Sequence, residues 1–242
     1  NFILNVVKDS SFGFFEPAEP ELKFLTNGGK VELLSDISFH EPDQQTWTAP
    51  KGLKSDCASI PSWAWSIIGV GPCTGAHRLA SFVHDFYVLE ENQHLHPPKK
   101  VHEMYHRALL ASGEETWRAN AMYLAVLFGG PNWDHPENVN VPEMIVTASQ
   151  SGDTETYNCF TEGEVEICQV TAMQMSSQSI EEVREEAKKA FLSQIPNVSS
   201  GDQELIELLS KQVVTGSLSL NEAEETIERL RLQLVKNQIN KQ

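Results

Sequence analysis

The order of apolar and polar positions divides the chain into alternating and helical stretches. Glu21-Leu22-Lys23-Phe24-Leu25 and Lys30-Val31-Glu32-Leu33-Leu34 flank Asn27-Gly28-Gly29, a pattern that predicts a β-hairpin closed by a glycine turn. A further extended run is expected across Thr46-Trp47-Thr48, before Pro50-Lys51-Gly52. From residue 62 to residue 128 the spacing becomes helical. Residues 78–89 set Leu79, Phe82, Val83 and Phe86 on one face, and residues 101–111 and 116–128 form two more helices, the last rich in Ala, Leu and Met. Pro131 and Pro136 end this block.

Residues 138–175 return to strands, with a second hairpin built from Thr156-Tyr157-Asn158-Cys159-Phe160 and Glu164-Val165-Glu166-Ile167-Cys168. Beyond residue 175 the composition shifts to Ser, Gln, Glu and Lys. Two capping boxes start there, at Ser179-Ile180-Glu181-Glu182 and Ser219-Leu220-Asn221-Glu222. Three helices are predicted there: a first opened by the Ser179 box and closed before Pro196, a second at 202–214 and a third at 220–239, the last with Leu220, Ala223, Ile227, Leu230 and Leu234 at three- and four-residue spacing. The expected fold class is α+β: an N-terminal β-hairpin region, a central helical core, a second hairpin and a C-terminal helical appendage. The division read from this is a domain over 1–175 and an oligomerisation or interaction appendage over 176–242, packed on itself or on other copies.

The 242 residues carry 18 Lys and Arg against 34 Asp and Glu, a net charge of −16. Such a surface repels phosphate backbones and anionic lipid, so neither a nucleic-acid partner nor membrane docking is expected. No apolar run reaches the ~20 residues of a membrane span. Cys57, Cys73, Cys159 and Cys168 form no CxxC pair, which argues against a structural zinc site. Cys159 and Cys168 flank the second hairpin turn and could be bridged, although four reduced thiols is the reading preferred.

Two blocks resemble an uncharacterised family common in bacteriophage genomes. Ala49-Pro50-Lys51-Gly52-Leu53-Lys54-Ser55-Asp56-Cys57-Ala58-Ser59-Ile60-Pro61 is similar to its VPxGFxSDGASIP signature, and Ala80-Ser81-Phe82-Val83-His84-Asp85-Phe86-Tyr87 to its AAxxHDYLY block. His102-Glu103-Met104-Tyr105 lies where the family carries ADxxF, and Ala121-Met122-Tyr123-Leu124-Ala125-Val126 is similar to its AxxMYxAVxxxG helix. The resemblance covers residues 20–135. It brings no activity, because the family has none assigned. It implies a phage or prophage origin, localisation in a virion or in the cytoplasm of the infected bacterium, and partners among other phage structural proteins or copies of the same chain. Cys57, Val88 and Glu103 depart from the family pattern at turn or polar positions.

The sharpest chemical signal is His84-Asp85. A helix-borne His-Asp pair with a second acid one helix away is similar to the arrangement in secreted phospholipases A2, where the histidine activates water and the aspartate holds calcium. The corresponding parts are His84 as base, Asp85 as metal ligand and Glu103 as orienting acid, with Ser55, Asp56 and Ser59 as supporting turn residues. The alternative for the same residues is a set of hydrogen bonds at a helix contact. His102-Glu103-Met104-Tyr105-His106 spells HExxH, which on a helix offers two imidazoles to zinc from one face. Its surroundings do not complete a zincin: Leu109 and Ser112 stand where the extended motif needs Gly and His, and Arg107 adds a cation beside the site.

Two functional expectations follow. The first is a virion or tail-associated assembly protein acting through protein–protein contacts, with no cofactor. The alternative is a metal-assisted hydrolase of lipid or peptide centred on His84 and Asp85, using one divalent ion, Zn or Ca.

Overall fold

A computed structural model describes residues 10–25, 30–56, 59–64, 68–69, 75–133, 135, 144–147, 156–162, 165–171 and 198–239. Strands and helices are both present, and the fold is α+β. Among the described residues three short antiparallel sheets occur. The first joins β1 (Phe14–Glu16), β4 (Ile37–His40) and β5 (Thr46–Ala49) in the order β1-β4-β5. The second joins β2 (Leu22–Phe24), β3 (Val31–Leu33) and β6 (Lys54–Ser55) in the order β2-β3-β6. The glycine-turn hairpin is therefore β2 and β3, with Leu22 opposite Leu33.

Period-two alternation sorts the first sheet. Phe15, Phe39 and Trp47 are cross-strand neighbours on the inner face and all three are buried. On the outer face Phe14 stacks on His40, and Ser38 bonds Thr48 directly opposite at 2.9 Å. The Trp47 indole meets its polar requirement inside: Nε1 donates to Glu41 Oε1 at 3.0 Å, and the same oxygen accepts from Arg107 Nη2 at 3.0 Å. In the second sheet β6 pairs with β3 and turns Ser55 inward opposite Val31.

Helices α1 (Arg78–Val88), α2 (Pro98–Ala111) and α3 (Thr116–Gly129) share one core with these two sheets. Pro98 begins α2 where a helix has no use for the missing N–H. Tyr87 near the end of α1 reaches β5, its hydroxyl accepting from the Thr48 amide at 3.1 Å. α3 is buried without a break from Ala119 to Gly129. A helix apolar all round needs cover on every side. Met122, Ala125 and Val126 join the core formed by the sheets and α1–α2. Tyr123, Leu124, Leu127 and Phe128 form a second core with Ile206 and Leu209 of α4 (Ser200–Val214) and Ala223 and Ile227 of α5 (Leu220–Ile239).

The C-terminal helices thus pack on α3 as well as on each other. Lys99 of α2 adds ion pairs to Glu224 at 3.7 Å and Glu228 at 3.5 Å. The Ser219–Glu222 capping box is formed reciprocally, and Ser199 with Asp202 makes another at the start of α4. The box expected at Ser179 and the first C-terminal helix expected after it lie outside the described residues. The third sheet, β7 (Met144–Thr147), β8 (Thr156–Glu162) and β9 (Val165–Thr171), holds the second hairpin, and its backbone register sets Cys159 opposite Cys168. Among the described residues no helix is long and apolar enough to cross a membrane.

Candidate functional site

Three segments converge on the His-Asp pair. β6 brings Ser55, the segment after it brings Ser59, and α1 carries Ser81, His84 and Asp85; α2 lies alongside with His102 and Tyr105. The helical period decides which α1 side chains face inward. Ser81 and His84, three positions apart, are fully buried, while Asp85 is half-buried.

Asp85 is held by two serine hydroxyls. Ser55 Oγ donates to Oδ2, and Ser59 Oγ donates to Oδ1 at 2.6 Å. Ser59 Oγ also lies 3.3 Å from the Ser81 carbonyl oxygen. Removal from water pushes the Asp85 carboxyl up to about 6; the two hydroxyls oppose that rise and the nearby Asp56 charge adds to it. The Tyr105 phenol faces the Ser81 and Ser59 hydroxyls, and burial raises it well above its ordinary range. The SDCASIP and HDFY blocks are therefore in contact through Ser55, Ser59 and Asp85.

His84 forms a different chain. Its Nε2 lies 2.9 Å from His102 Nδ1, and His102 Nε2 lies 2.9 Å from the Pro131 carbonyl oxygen. A carbonyl only accepts, so His102 carries its proton on Nε2 and offers a lone pair at Nδ1. His84 then donates from Nε2, and its own lone pair sits on Nδ1. That nitrogen is buried and has no hydrogen-bond partner. Burial, and then the neighbouring His102, hold His84 well below its usual pKa, and burial lowers His102 to about 4. Both rings are neutral at pH 7. The Tyr105 ring packs against His84 with centroids 4.5 Å apart.

The orienting acid expected from the sequence is not at His84. Glu103 acts on Lys99, Tyr123 and Glu224, at the junction of α2, α3 and α5, and the partner of His84 is His102. The physical reason is helical phase: His102 lies on the buried stripe of α2 and Glu103 is half-buried beside it. The HExxH residues diverge for the same reason. Both nitrogens of His102 are engaged, while His106 donates from Nε2 to Asn120 Oδ1 at 2.9 Å and stacks on Tyr123. Burial lowers His106 to about 4. Among the described residues no three His, Cys, Asp or Glu side chains gather as a metal set. Cys57, the departure inside SDCASIP, lies outside the described residues, as does Cys73.

Sequence reasoning named His102 only as a zinc ligand and did not name Pro131, Ser81 or Tyr105 as site residues. The buried phase of His102 on α2, shared with Tyr105 three positions on, was the available signal.

Residues 31–126 match the family described as Protein of unknown function (DUF1353). The matched span runs from β3 into α3 and includes Ser55, Ser59, Ser81, His84, Asp85, His102 and Tyr105. Among curated proteins, the uncharacterized protein y4jT of Sinorhizobium fredii (strain NBRC 101917 / NGR234) is 31% identical over 219 residues, 90% of this chain and 60% of that protein. The uncharacterized protein y4iH of the same organism is 29% identical over 103 residues, 43% of this chain and 41% of that protein. The chain thus spans less than two thirds of the length of either relative. No solved structure matches it.

Proposed function

We propose that this chain is a hydrolase of ester or amide bonds, in lipid or peptide, with His84 as its base. The observation that carries this reading is the His84 imidazole itself: neutral, anchored at Nε2 by His102, with the Nδ1 lone pair buried and unpartnered. A buried acceptor of that kind calls for a water or substrate group as its partner. A neutral imidazole held by one nitrogen is the arrangement a general base requires. In the reaction, Nδ1 takes a proton from water as the water oxygen adds to the carbonyl carbon. The tetrahedral intermediate then collapses, the bond to the leaving oxygen or nitrogen breaks, and the proton passes from Nδ1 to the leaving group. A carboxylic acid and an alcohol or amine result.

The described side chains do not fit a resident divalent ion. Each oxygen of Asp85 accepts a serine hydroxyl, so Asp85 serves to fix Ser55 and Ser59 against α1. The test is turnover of a chromogenic short-chain ester, a fluorogenic phospholipid in vesicles and a fluorogenic peptide, with and without added Ca or Zn. Turnover of one of these, lost in His84→Ala with the circular dichroism spectrum unchanged, supports the reading. No turnover of any of them under any condition overturns it.

A second reading is a phage virion or tail-associated assembly protein acting through contacts with itself or other structural proteins. It is favoured by the Ser55–Asp85–Ser59 bonds, which spend the polar capacity of both family-like blocks inside the fold. A native mass spectrum of the full chain tests it. A stable multimer without turnover supports assembly, and a monomer with turnover removes it.

A further inference from the structure

We propose that His102 is a positioning residue for His84, its tautomer fixing which ring nitrogen of His84 carries the lone pair, and that Arg231 of α5 holds the turn from which that tautomer is set. The inference rests on the reading of His84 as a base, but its geometry is independent of the substrate.

A free neutral imidazole exchanges its proton between two nitrogens, and only one tautomer presents a lone pair where it is needed. Here the choice begins at a backbone atom. The Pro131 carbonyl has no proton to give, so it fixes Nε2–H on His102. The lone pair this leaves on His102 Nδ1 can only accept, so it fixes Nε2–H on His84. Both rings have aromatic neighbours: Tyr105 packs on His84, and Trp133 stands roughly perpendicular to His102 with ring centroids 6.0 Å apart. Trp133 is itself anchored, its Nε1 donating to the His96 carbonyl at 3.0 Å. A carboxylate in the place of His102 would also stabilise a charged His84; a neutral imidazole supplies orientation alone.

The turn carrying the Pro131 carbonyl follows α3 directly and is held by the C-terminal helices. Arg231 Nη1 donates to the Phe128 carbonyl at 2.8 Å and lies 3.3 Å from the Gly130 carbonyl, the residue before Pro131. The helices outside the matched family span thus reach the His84 site through one side chain and one turn.

The experiment is long-range proton–nitrogen NMR on the full chain labelled with nitrogen-15 at histidine, near neutral pH. The wild type should show His84 and His102 each protonated at Nε2 alone. In His102→Phe, His84 should lose that preference. In His102→Asn, whose amide can both accept from His84 and donate to Pro131, the wild-type His84 signal should return. Arg231→Met should shift the His102 Nε2–H resonance. If turnover is found, His102→Phe should lower kcat on the order of a hundredfold with KM little changed, and His102→Asn should recover most of it. A wild-type His84 protonated at Nδ1 overturns the proposal even where the Phe variant fails to fold; so does an unaltered His84 tautomer in a folded His102→Phe. An unmoved His102 resonance in Arg231→Met overturns the part assigned to α5. Because the tautomers are read without substrate, absent turnover would sink the hydrolase reading and leave this one decided by NMR.

Discussion

Arg231 donates to the carbonyl oxygen of Phe128 at 2.8 Å, across 103 positions of sequence. The last carbonyls of α3 have no intrahelical donors and carry the negative end of the helix dipole. A guanidinium is matched to that place by charge and by its several donors. Burial lowers Arg231 only to about 10, so it remains a cation at neutral pH. One side chain thus ties α5 to the end of the helix that both cores share.

Replacing Arg231 by Met keeps much of the apolar stem and removes the donors. The α3 carbonyls are then left buried without that partner, and the chain should lose about 1–3 kcal/mol of stability. Urea unfolding followed by circular dichroism reads this as a lower midpoint. An unchanged midpoint would mean that relief of the buried charge offsets the lost bonds.

Removing either hydroxyl on Asp85 should raise that carboxyl above its value of about 6, because both bonds favour its charged form. Ser55→Ala and Ser59→Ala should each lose roughly 1.5–3 kcal/mol at neutral pH, as expected for a bond to a charged group. The two losses should not add, since the serines share one carboxylate. A carbon-13 carboxyl titration with matched unfolding curves checks both statements; a carboxyl that titrates lower in either variant contradicts them.

Stability should fall as the pH drops from about 6.5 to 4. His102 and His106 are each lowered to about 4 and His84 lies well below 6.5, so in this window the unfolded chain binds protons that the folded chain refuses. Asp85 acts in the opposite sense: its folded carboxyl at about 6 lies above the unfolded value of 3.8, so between those values the folded chain binds the extra proton. Glu224, raised by burial, acts in the same sense as Asp85, and Glu114, lowered by its bond to His77, acts with the histidines. Three histidines and Glu114 against Asp85 and Glu224 leave acidification destabilising on balance. Unfolding midpoints at pH 7, 6, 5 and 4 should decline in order, and in His106→Gln the decline should be shallower.

The elements with a clear period were legible in the sequence. The hairpin around Asn27-Gly28-Gly29, the three central helices and the two C-terminal helices fall within a few residues of their expected places. So did the junction of SDCASIP and HDFY, because serines in a turn and a carboxylate on an inward helix face are complementary groups. The partner of His84 was not. HExxH drew attention to Glu103 and His106, while helical phase places His102 with Tyr105 and Leu109 on the buried stripe. The Pro131 carbonyl had no signature, since a backbone oxygen looks the same at every position. Docking of α4 and α5 on α3 was not foreseen, since the appendage was expected to pack on itself or on other copies; the apolar run from Ala121 to Phe128, apart from the Tyr123 hydroxyl, needs two covers and was the overlooked signal.

The turn after α3 can be probed without touching either histidine. Gly130 ends the helix with its amide donating to the Val126 carbonyl at 2.8 Å. A Cβ added there would overlap the Val126 carbonyl oxygen and come within 2.7 Å of Val126 Cγ1. Those neighbours are a backbone atom and a stiff β-branched side chain, so the turn itself must move. Gly130→Ala should cost about 1–3 kcal/mol. It should also displace the Gly130 and Pro131 carbonyls from Arg231 and His102 and alter the His102 ring signals. Gly201→Ala is the control: its Cβ would meet only Ser199 Oγ, at an ordinary 3.7 Å, inside the first turn of α4. Alanine is the better helix former, so that variant should be neutral or slightly more stable. If Gly130→Ala behaves like the control, with the midpoint and the His102 resonances unmoved, the turn does not link α5 to the histidine pair.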